Sequence, residues 1–246
     1  IKIPSVLNLK SIQLIDTAAN LVKNLTALEA AAKAGKIASV TVSDGKSLEL
    51  TPAQIKTSEN FLNLTFSKNA IVEAKDVKVT EFETLEALIE DNNSLVLAKQ
   101  NIKDSAANIQ AKLDQLDAAV EAGSASSASG AFILSNIAVS DKGTITVSNS
   151  TFLKDLDALK VVSGAYKLNV TDVNVTDALA IKAPSKDATL SLTIKDTAAN
   201  VAGNWDKLQA LVKAKTLTNI TITDGSSSPL TMTALQLKAN VDVLKV

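Results

Sequence analysis

A five-residue motif that occurs three times constrains the fold of this chain more than any other feature. It reads Asp-Thr-Ala-Ala-Asn at residues 16–20, Asp-Ser-Ala-Ala-Asn at residues 104–108 and again Asp-Thr-Ala-Ala-Asn at residues 196–200. The copies begin 88 and then 92 residues apart, so the recurrence runs through most of the 246 residues. A long, nearly constant period is typical of proteins built from stacked units that share one hydrophobic core.

Each copy predicts the start of a helix, because apolar residues follow it at offsets that place them on one helical face. We expect Asp16, Asp104 and Asp196 to be the N-cap residues of these helices, and Trp205 to be a core residue rather than a binding residue. The apolar positions are Leu21, Leu25 and Leu28, then Ile109, Leu113, Leu116 and Val120, and finally Val201, Trp205, Leu208 and Val212.

Two further motifs recur between these helices. Alternating strands end in an acidic residue that is followed by Gly, at Asp44-Gly45, at Asp141 with Gly143, and at Asp224-Gly225. This pattern predicts a hairpin or a corner, with another alternating run at 48–51, 144–147 and 230–233. The segments 76–81 and 172–177 match each other and predict a strand that leads into a helix.

These strand-and-helix units are too small to bury their own apolar faces, so neighbouring units must stack. We therefore predict an α/β fold: a repetitive strand–helix solenoid with leucine-rich-repeat-like coils, a mostly parallel sheet and about eight coils. The chain would be one array over residues 1–246, with repeat 1 at about 12–99, repeat 2 at about 100–191 and a partial repeat 3 at about 192–246. The alternative is three compact α/β domains, each one period long. The Ser- and Gly-rich stretch 123–130 predicts a surface loop.

The composition excludes several classes of function. The chain has no Cys, no His and no Arg, a net charge of -1 and only 3% aromatic residues. Ser-His-Asp and Cys-His catalysis, zinc sites and iron–sulfur sites are therefore excluded. The near-neutral charge gives no basic footprint for nucleic acid, and no apolar run is long enough to insert into a membrane.

Carboxylates are the only abundant side-chain groups that could act in catalysis. The pairs Asp155 with Asp157 and Glu81 with Glu83 are the ones to test, but both fit better as acidic first turns that complement a helix dipole. We expect no catalytic and no cofactor-binding residue, and we predict that the protein is not an enzyme.

Calcium is the one ion to consider, because Asp44, Asp141 and Asp224 recur at the same turn and calcium takes oxygen ligands. One carboxylate per turn supplies few ligands for calcium, and turn formation explains the recurrence of these residues better. We therefore predict no metal site, with these three residues as weak calcium candidates.

The helix opening at residues 16–20, followed by 36–45 and 48–55, resembles a repeat of very large secreted bacterial surface proteins. These include S-layer-like proteins and type I-secreted, adhesin-like chains. The resemblance implies an exported, non-catalytic array that builds a cell coat or projects an adhesive tip. The absence of Cys also suits a protein exported to an oxidising environment.

We therefore expect a structural segment of a secreted bacterial cell-surface protein, an S-layer or surface-array scaffold that self-assembles through its repeat surfaces. Its partners would be copies of itself or neighbouring segments of the same protein. The alternative is an adhesin stalk or binding module that recognises a cell-surface glycan or a host protein. The Thr- and Ser-rich strands favour this alternative, because strict alternation gives the sheet one packed face and one hydroxyl-bearing face.

Overall fold

The computed structural model describes residues 11–66, 70–82, 84–85, 96–125, 133–225 and 229–246. Within them the protein is a mixed α/β fold with parallel sheets, as predicted. The chain forms two compact units. Unit 1 comprises Ile1–Asp104 and Ala118–Ala138, and unit 2 comprises Ser105–Asp117 and Val139–Val246. The single array over residues 1–246 and its repeat bounds stay a prediction.

Unit 1 alternates short strands with short helices. Its elements are β1 (Ile12–Asp16), α1 (Ala18–Lys23), α2 (Leu25–Lys33), β2 (Ile37–Val42), β3 (Leu48–Leu50), α3 (Pro52–Lys56), α4 (Glu59–Leu62), β4 (Thr65–Phe66), β5 (Ile71–Val77), β6 (Val96–Asp104) and β7 (Ile133–Val139). One sheet has the order β1-β2-β4, and in a second sheet β3, β5, β6 and β7 are adjacent in that order. The pairs β1/β2, β2/β4, β3/β5 and β5/β6 are all parallel.

Unit 2 repeats this alternation. It contains α5 (Ala106–Ala111), the start of α6 (Leu113–Ala125), β8 (Thr144–Ser148), α7 (Asn149–Lys154), α8 (Leu156–Val161), β9 (Val162–Ser163), β10 (Tyr166–Val173), α9 (Val175–Ala180), β11 (Ala188–Asp196), α10 (Ala198–Ala202), α11 (Trp205–Lys213), β12 (Leu217–Ile222) and α12 (Ala234–Ala239). A short 3₁₀ helix covers Val243–Lys245. Its sheet has the order β8, β10, β11, β12, which is also the order along the chain, and every pair is parallel.

Alternation along the strands separates a packed face from a polar face. In β8, Ile145 and Val147 are buried while Thr144 and Thr146 are exposed. The parallel register places Ile145 beside Leu168 and Val147 beside Val170. Because side chains alternate with period two, this register collects the apolar residues on one face and the Thr, Asn and Lys residues on the other. The predicted hydroxyl-bearing face is confirmed for unit 2.

The helices after the Asp motifs are split rather than continuous. Six residues form α1 before Asn24 ends it, and α10 ends before Asn204 in the same way. In both, the Asn side-chain amide donates to a backbone carbonyl four residues earlier, at 2.9 Å. Such local bonds compete with helix continuation. The predicted apolar stripe survives the break, and Leu21, Trp205 and Leu208 are buried.

The Asp44-Gly45 turn is a corner and not a hairpin, because β2 and β3 belong to different sheets. Gly45 supplies the left-handed backbone of this corner, with φ of 63°. At the equivalent corner Lys142, rather than Gly143, adopts the positive φ. The predicted loop at 123–130 begins later than expected, because α6 continues to Ala125. The rest of that stretch lies outside the described residues.

We predict that Leu168→Ala lowers the free energy of unfolding by about 2–5 kcal/mol, because Leu168 is fully buried in β10 and its loss leaves a cavity. Urea denaturation followed by circular dichroism measures this change. The neighbouring exposed substitution Lys167→Ala is the control and should change stability by no more than about 0.5 kcal/mol. Equal effects of the two substitutions would contradict the assigned register.

Candidate functional site: the aspartate turns and buried Asp155

Asp196 connects three successive segments of unit 2. Its Oδ1 accepts from the Thr197 N–H at 2.7 Å and from the Asn200 side-chain amide at 2.7 Å. Its Oδ2 accepts from the N–H of Val175, the first residue of α9, at 2.8 Å. Its backbone carbonyl accepts from Thr223 N–H, just after β12, at 2.9 Å. One strand-end residue thus bonds to the segment before it and the segment after it.

Each of the other two copies of the motif makes a part of the same set of bonds. Asp16 accepts from Thr17 N–H at 2.8 Å and from the Asn20 amide at 2.7 Å, and its carbonyl accepts from Ser43 N–H at 2.8 Å. Asp104 accepts from the N–H of Val79, beyond the end of β5, at 3.1 Å. Asp196 thus shares its local bonds with Asp16 and its bond to the preceding segment with Asp104.

The predicted N-caps are wrong by one residue. The capping side chains belong to Thr17, Ser105 and Thr197, whose hydroxyls accept from the N–H three residues later at 3.2–3.3 Å. Each has extended backbone dihedrals, as an N-cap residue requires. The preceding Asp is the last residue of a strand, and at Asp104 and Asp196 its carboxylate is turned toward a neighbouring segment instead.

The aspartates at the corners, Asp44, Asp141 and Asp224, accept a hydrogen bond from another backbone N–H group of the same helices. Asp44 Oδ1 accepts from Ala18 N–H at 3.1 Å, Asp141 Oδ1 from Ala106 N–H at 3.1 Å, and Asp224 Oδ1 from Ala198 N–H at 3.0 Å. These N–H groups lie in the first helical turn and have no partner within the helix. The bond from Ala18 N–H, opposed by partial burial, lowers the pKa of Asp44. Each corner therefore holds the helix of the preceding segment.

This arrangement gives the calcium candidates Asp44, Asp141 and Asp224 a structural role as acceptors of helix N–H groups. Over the ranges that the structure describes, no three His, Cys, Asp or Glu residues come together as metal ligands. Calcium binding at these three residues stays a prediction.

The motif at residues 76–81 and 172–177 places an Asp in left-handed backbone at the end of a strand. Asp76 in β5 has φ of 54° and Asp172 in β10 has φ of 55°. Each lies at a register shift, and each pairs with a Lys on the next strand: Asp76 with Lys103 at 3.2 Å, and Asp172 with Lys195 at 3.1 Å. Asp tolerates this conformation better than most residues. The exposed ion pairs add little stability.

Asp155, in unit 2, has a fully buried carboxyl group. It lies between α7 and α8, is 0% exposed, and neither of its oxygens has a hydrogen-bond donor among the described side chains and backbone. Lys154 Nζ lies 3.7 Å from its Oδ1 and 3.1 Å from Asp114. The adjacent Asp117, also buried, instead accepts from Ala158 N–H at 2.7 Å and so caps α8.

Burial raises the pKa of Asp155 to about 6, and the neighbouring carboxyl groups of Asp114 and Asp117 raise it further than Lys154 lowers it. The proximity of Asp155, together with the ion pair with Lys154, lowers the pKa of Asp114. Asp155 therefore keeps its proton to a higher pH than an ordinary Asp does, and Asp114 loses its proton at a lower pH.

The two acid pairs considered from the sequence have different outcomes. Asp155 and Asp157 do not act together, because Asp157 is exposed and pairs with Lys160 at 2.8 Å. Glu81 pairs with Lys56 at 3.5 Å, and Glu83 lies outside the described residues. The partner that Asp155 does have, Asp114, is 41 residues away on another helix, so no local spacing could have indicated it.

Concave regions are also present among the described residues. A depression of about 580 Å³ in unit 1 is lined by Asp44, Gly45, Lys46, Glu49 and Lys75 among others, and its charges largely offset one another. A groove of about 430 Å³ in unit 2 is lined mainly by apolar side chains, among them Phe152, Leu153 and Ile181. The carboxylates of the aspartate turns accept hydrogen bonds from backbone N–H groups, so these oxygens already have partners within the chain.

No family model, no curated protein and no solved structure matches this chain. Among the helices that the structure describes, none has the length and apolar character needed to span a bilayer.

We predict that Asp196→Ala lowers the free energy of unfolding by about 3 kcal/mol near pH 7, because it leaves buried N–H donors without a charged acceptor. Burial raises the pKa of Asp196, but the bonds from Val175, Asn200 and Thr197 outweigh it, so the pKa lies below its usual value. The stabilisation is therefore present above the unfolded-state pKa and is lost as the pH falls through the folded-state pKa. Denaturant titrations at pH 7 and pH 3 should show the difference between wild type and variant narrowing in acid. A pH-independent difference would contradict this role of the carboxylate.

We predict that Asp155→Asn stabilises the protein at pH 8 by up to about 3 kcal/mol, and has almost no effect near pH 4. The folded pKa is raised, so the wild type is most stable below the unfolded pKa of this group and loses stability as the pH rises through about 6. Urea denaturation from pH 4 to pH 8 measures the difference. The control Asp157→Asn should give a nearly constant difference over this range. Destabilisation by Asp155→Asn at pH 8 would contradict the assignment.

Proposed function

We propose that this chain is a segment of an α/β solenoid within a secreted bacterial cell-surface protein, where it acts as a non-catalytic S-layer or surface-array scaffold. The observation that carries the proposal is the recurrence of the aspartate turn. Asp16, Asp104 and Asp196 each end a strand. The corner residues Asp44, Asp141 and Asp224 accept from a first-turn N–H of the helix that follows each of these strands. A repeated junction of this kind is what a stack of similar coils needs.

The order of the strands supports the solenoid. In unit 2 the chain order β8, β10, β11, β12 is also the order in the sheet, and in unit 1 the same holds for β3, β5, β6 and β7. All pairings with a defined register are parallel. Successive coils stacked on one another produce this order, because each strand adds beside the one before it.

The polar strand face supports a scaffold more than a ligand-binding surface. Ser191 Oγ donates to Asn169 Oδ1 at 3.1 Å, and Ser135 Oγ donates to Asn101 Oδ1 at 3.1 Å, while the Asn101 amide donates to Glu73. These side chains already satisfy one another from strand to strand, so a ligand would have to replace those bonds. Such ladders pin the register of neighbouring strands.

The alternative is a binding module that recognises a cell-surface glycan or a host protein through this same face. The observation in its favour is the concentration of hydroxyl and amide groups on one side of the sheet, including Thr146, Asn169 and Ser191. Aromatic residues, on which sugar rings commonly stack, make up only 3% of the chain.

Two measurements on the native bacterium and on purified protein test the proposal. Antibodies raised against this chain should label intact cells, and the purified protein should form ordered sheets that electron microscopy can image, both with calcium and with a chelator. Label only after the cells are permeabilised would contradict the proposal. Isolated fibres together with binding to a glycan array would support the adhesin alternative, and ordered sheets only with calcium would revive Asp44, Asp141 and Asp224 as ligands.

A further inference from the structure

One buried polar position recurs just after the ends of the helices α3, α7 and α12. It lies seven residues after the N-cap residue of each helix. The residues at this position are Ser58, Asp155 and Asn240, which are 2%, 0% and 3% exposed. Burial is thus constant, although the side chain changes from a hydroxyl to a carboxyl to an amide. Because a buried polar group needs a hydrogen-bond partner, the neighbour of this position determines its effect on stability.

The partner of this position is seen at Asn240. Its side-chain amide donates to Asp206 Oδ1 at 3.0 Å and to the Gln236 carbonyl at 3.0 Å. Asp206 lies in the first turn of α11, ten residues after Asp196 of the repeated motif. The bond therefore attaches the end of α12 to the preceding helix α11, and its donor keeps its hydrogens over the whole physiological pH range.

The preceding copy has two carboxyl groups where this copy has an amide and a carboxyl. Asp155 occupies the place of Asn240, and Asp114 occupies the place of Asp206, at the same distance from its copy of the motif. Lys154 Nζ lies 3.7 Å from Asp155 Oδ1 and 3.1 Å from Asp114 Oδ2, so both carboxyl groups are close to one ammonium. Unlike Asn240, Asp155 can donate a hydrogen bond only while it is protonated.

The charged groups around Asp155 come from three helices. Asp114 and Asp117 belong to α6, Lys154 belongs to α7, and Asp157 of α8 is exposed and held in an ion pair. Burial raises the pKa of Asp155 to about 6, and the carboxyl groups of Asp114 and Asp117 raise it more than Lys154 lowers it. The surroundings therefore favour the protonated form of Asp155 in mild acid.

A second contact between the same helices has a backbone donor. Asp117 Oδ1 accepts from the Ala158 N–H at 2.7 Å, which attaches α8 to α6. The aligned residues Glu29 and Gln209 accept from the corresponding N–H groups at 2.8 Å and 3.1 Å. This contact is therefore common to all three copies, whereas the contact at the end of the preceding helix differs in its donor.

We propose that Asp155 and Asp114 form a pH-dependent switch in unit 2. Protonated Asp155 donates to Asp114 as the Asn240 amide donates to Asp206, and loss of this proton to solvent leaves two carboxylates that release the end of α7 from α6. The Asp117 bond keeps α8 attached, so the release is local. The contact of Asn240 stays closed over the same pH range. This inference goes beyond the proposed function and does not depend on it.

Hydrogen exchange at the end of α7 tests the switch. The N–H groups of Asp155 and Leu159 bond to the carbonyls of Thr151 and Asp155. A raised pKa stabilises the closed form in acid, and this stabilisation is lost as the pH rises through about 6. After correction for intrinsic rates, opening at these two amides should increase about tenfold from pH 5 to pH 8. Amides of β10 and β11 should not change, and an equal change there would overturn the inference because it would show global unfolding.

Reciprocal substitutions exchange the residues of the two copies. Asp155→Asn should remove the pH dependence and keep slow exchange at pH 8, while the control Asp157→Asn should behave as the wild type. Asn240→Asp should create a pH dependence at the amide of residue 240, which bonds to the Gln236 carbonyl at 2.9 Å. Exchange at Asp155 and Leu159 that does not vary with pH in the wild type would overturn the inference. PH dependence that persists in Asp155→Asn, or that does not arise in Asn240→Asp, would also overturn it.

Asp114→Asn separates the switch from the effect of burial alone. It keeps an acceptor oxygen but removes a negative charge beside Asp155, which makes ionisation of Asp155 easier. The midpoint of the pH dependence should therefore move to lower pH than in the wild type. An unchanged midpoint would show that Asp114 is not the partner of Asp155, and it would overturn the inference.

Discussion

The structure depends on carboxylates that accept hydrogen bonds from backbone N–H groups far away in sequence. The first-turn N–H groups of a helix have no partner within the helix, and burial makes each unpaired donor costly. Here the partners come from other segments: Asp44 for Ala18, Asp104 for Val79, and Asp196 for Val175. Each bond supplies an acceptor for an N–H group of a helix or turn and also fixes the position of a neighbouring strand. The same atoms therefore stabilise the local structure and the packing of neighbouring segments.

Much of this fold could be predicted from the sequence because its signals are periodic. Alternation along β8 predicted a packed and a polar face, and the stripe through Leu21 and Leu25 predicted the buried helix side. The exact role of Asp196 could not be predicted, since Asp and the following Thr197 are both good N-cap residues. Only the fold shows that the strand runs through the Asp, which leaves the hydroxyl to cap the helix.

Local sequence patterns do not predict contacts between residues that are far apart in the chain. Asp155 has an acidic neighbour two residues away, which made Asp157 the apparent partner, yet helix packing turns Asp155 inward and places Asp114 beside it. Because the pKa of Asp155 is raised to about 6, we expect this carboxyl group to lower the stability of the fold at neutral pH. Burial of a carboxyl without a donor is decided by tertiary packing, and no local spacing encodes it.

Amide hydrogen exchange tests directly whether the aspartate turns hold successive segments of the chain together. Five N–H groups, those of Ala18, Val79, Ala106, Val175 and Ala198, bond to a side-chain carboxylate from a distant segment. If these carboxylates hold successive segments together, the five amides should exchange as slowly as amides within the central strands β10 and β11, because they open only when a whole segment detaches. Exchange of these amides at the rate of exposed loop residues would contradict the account.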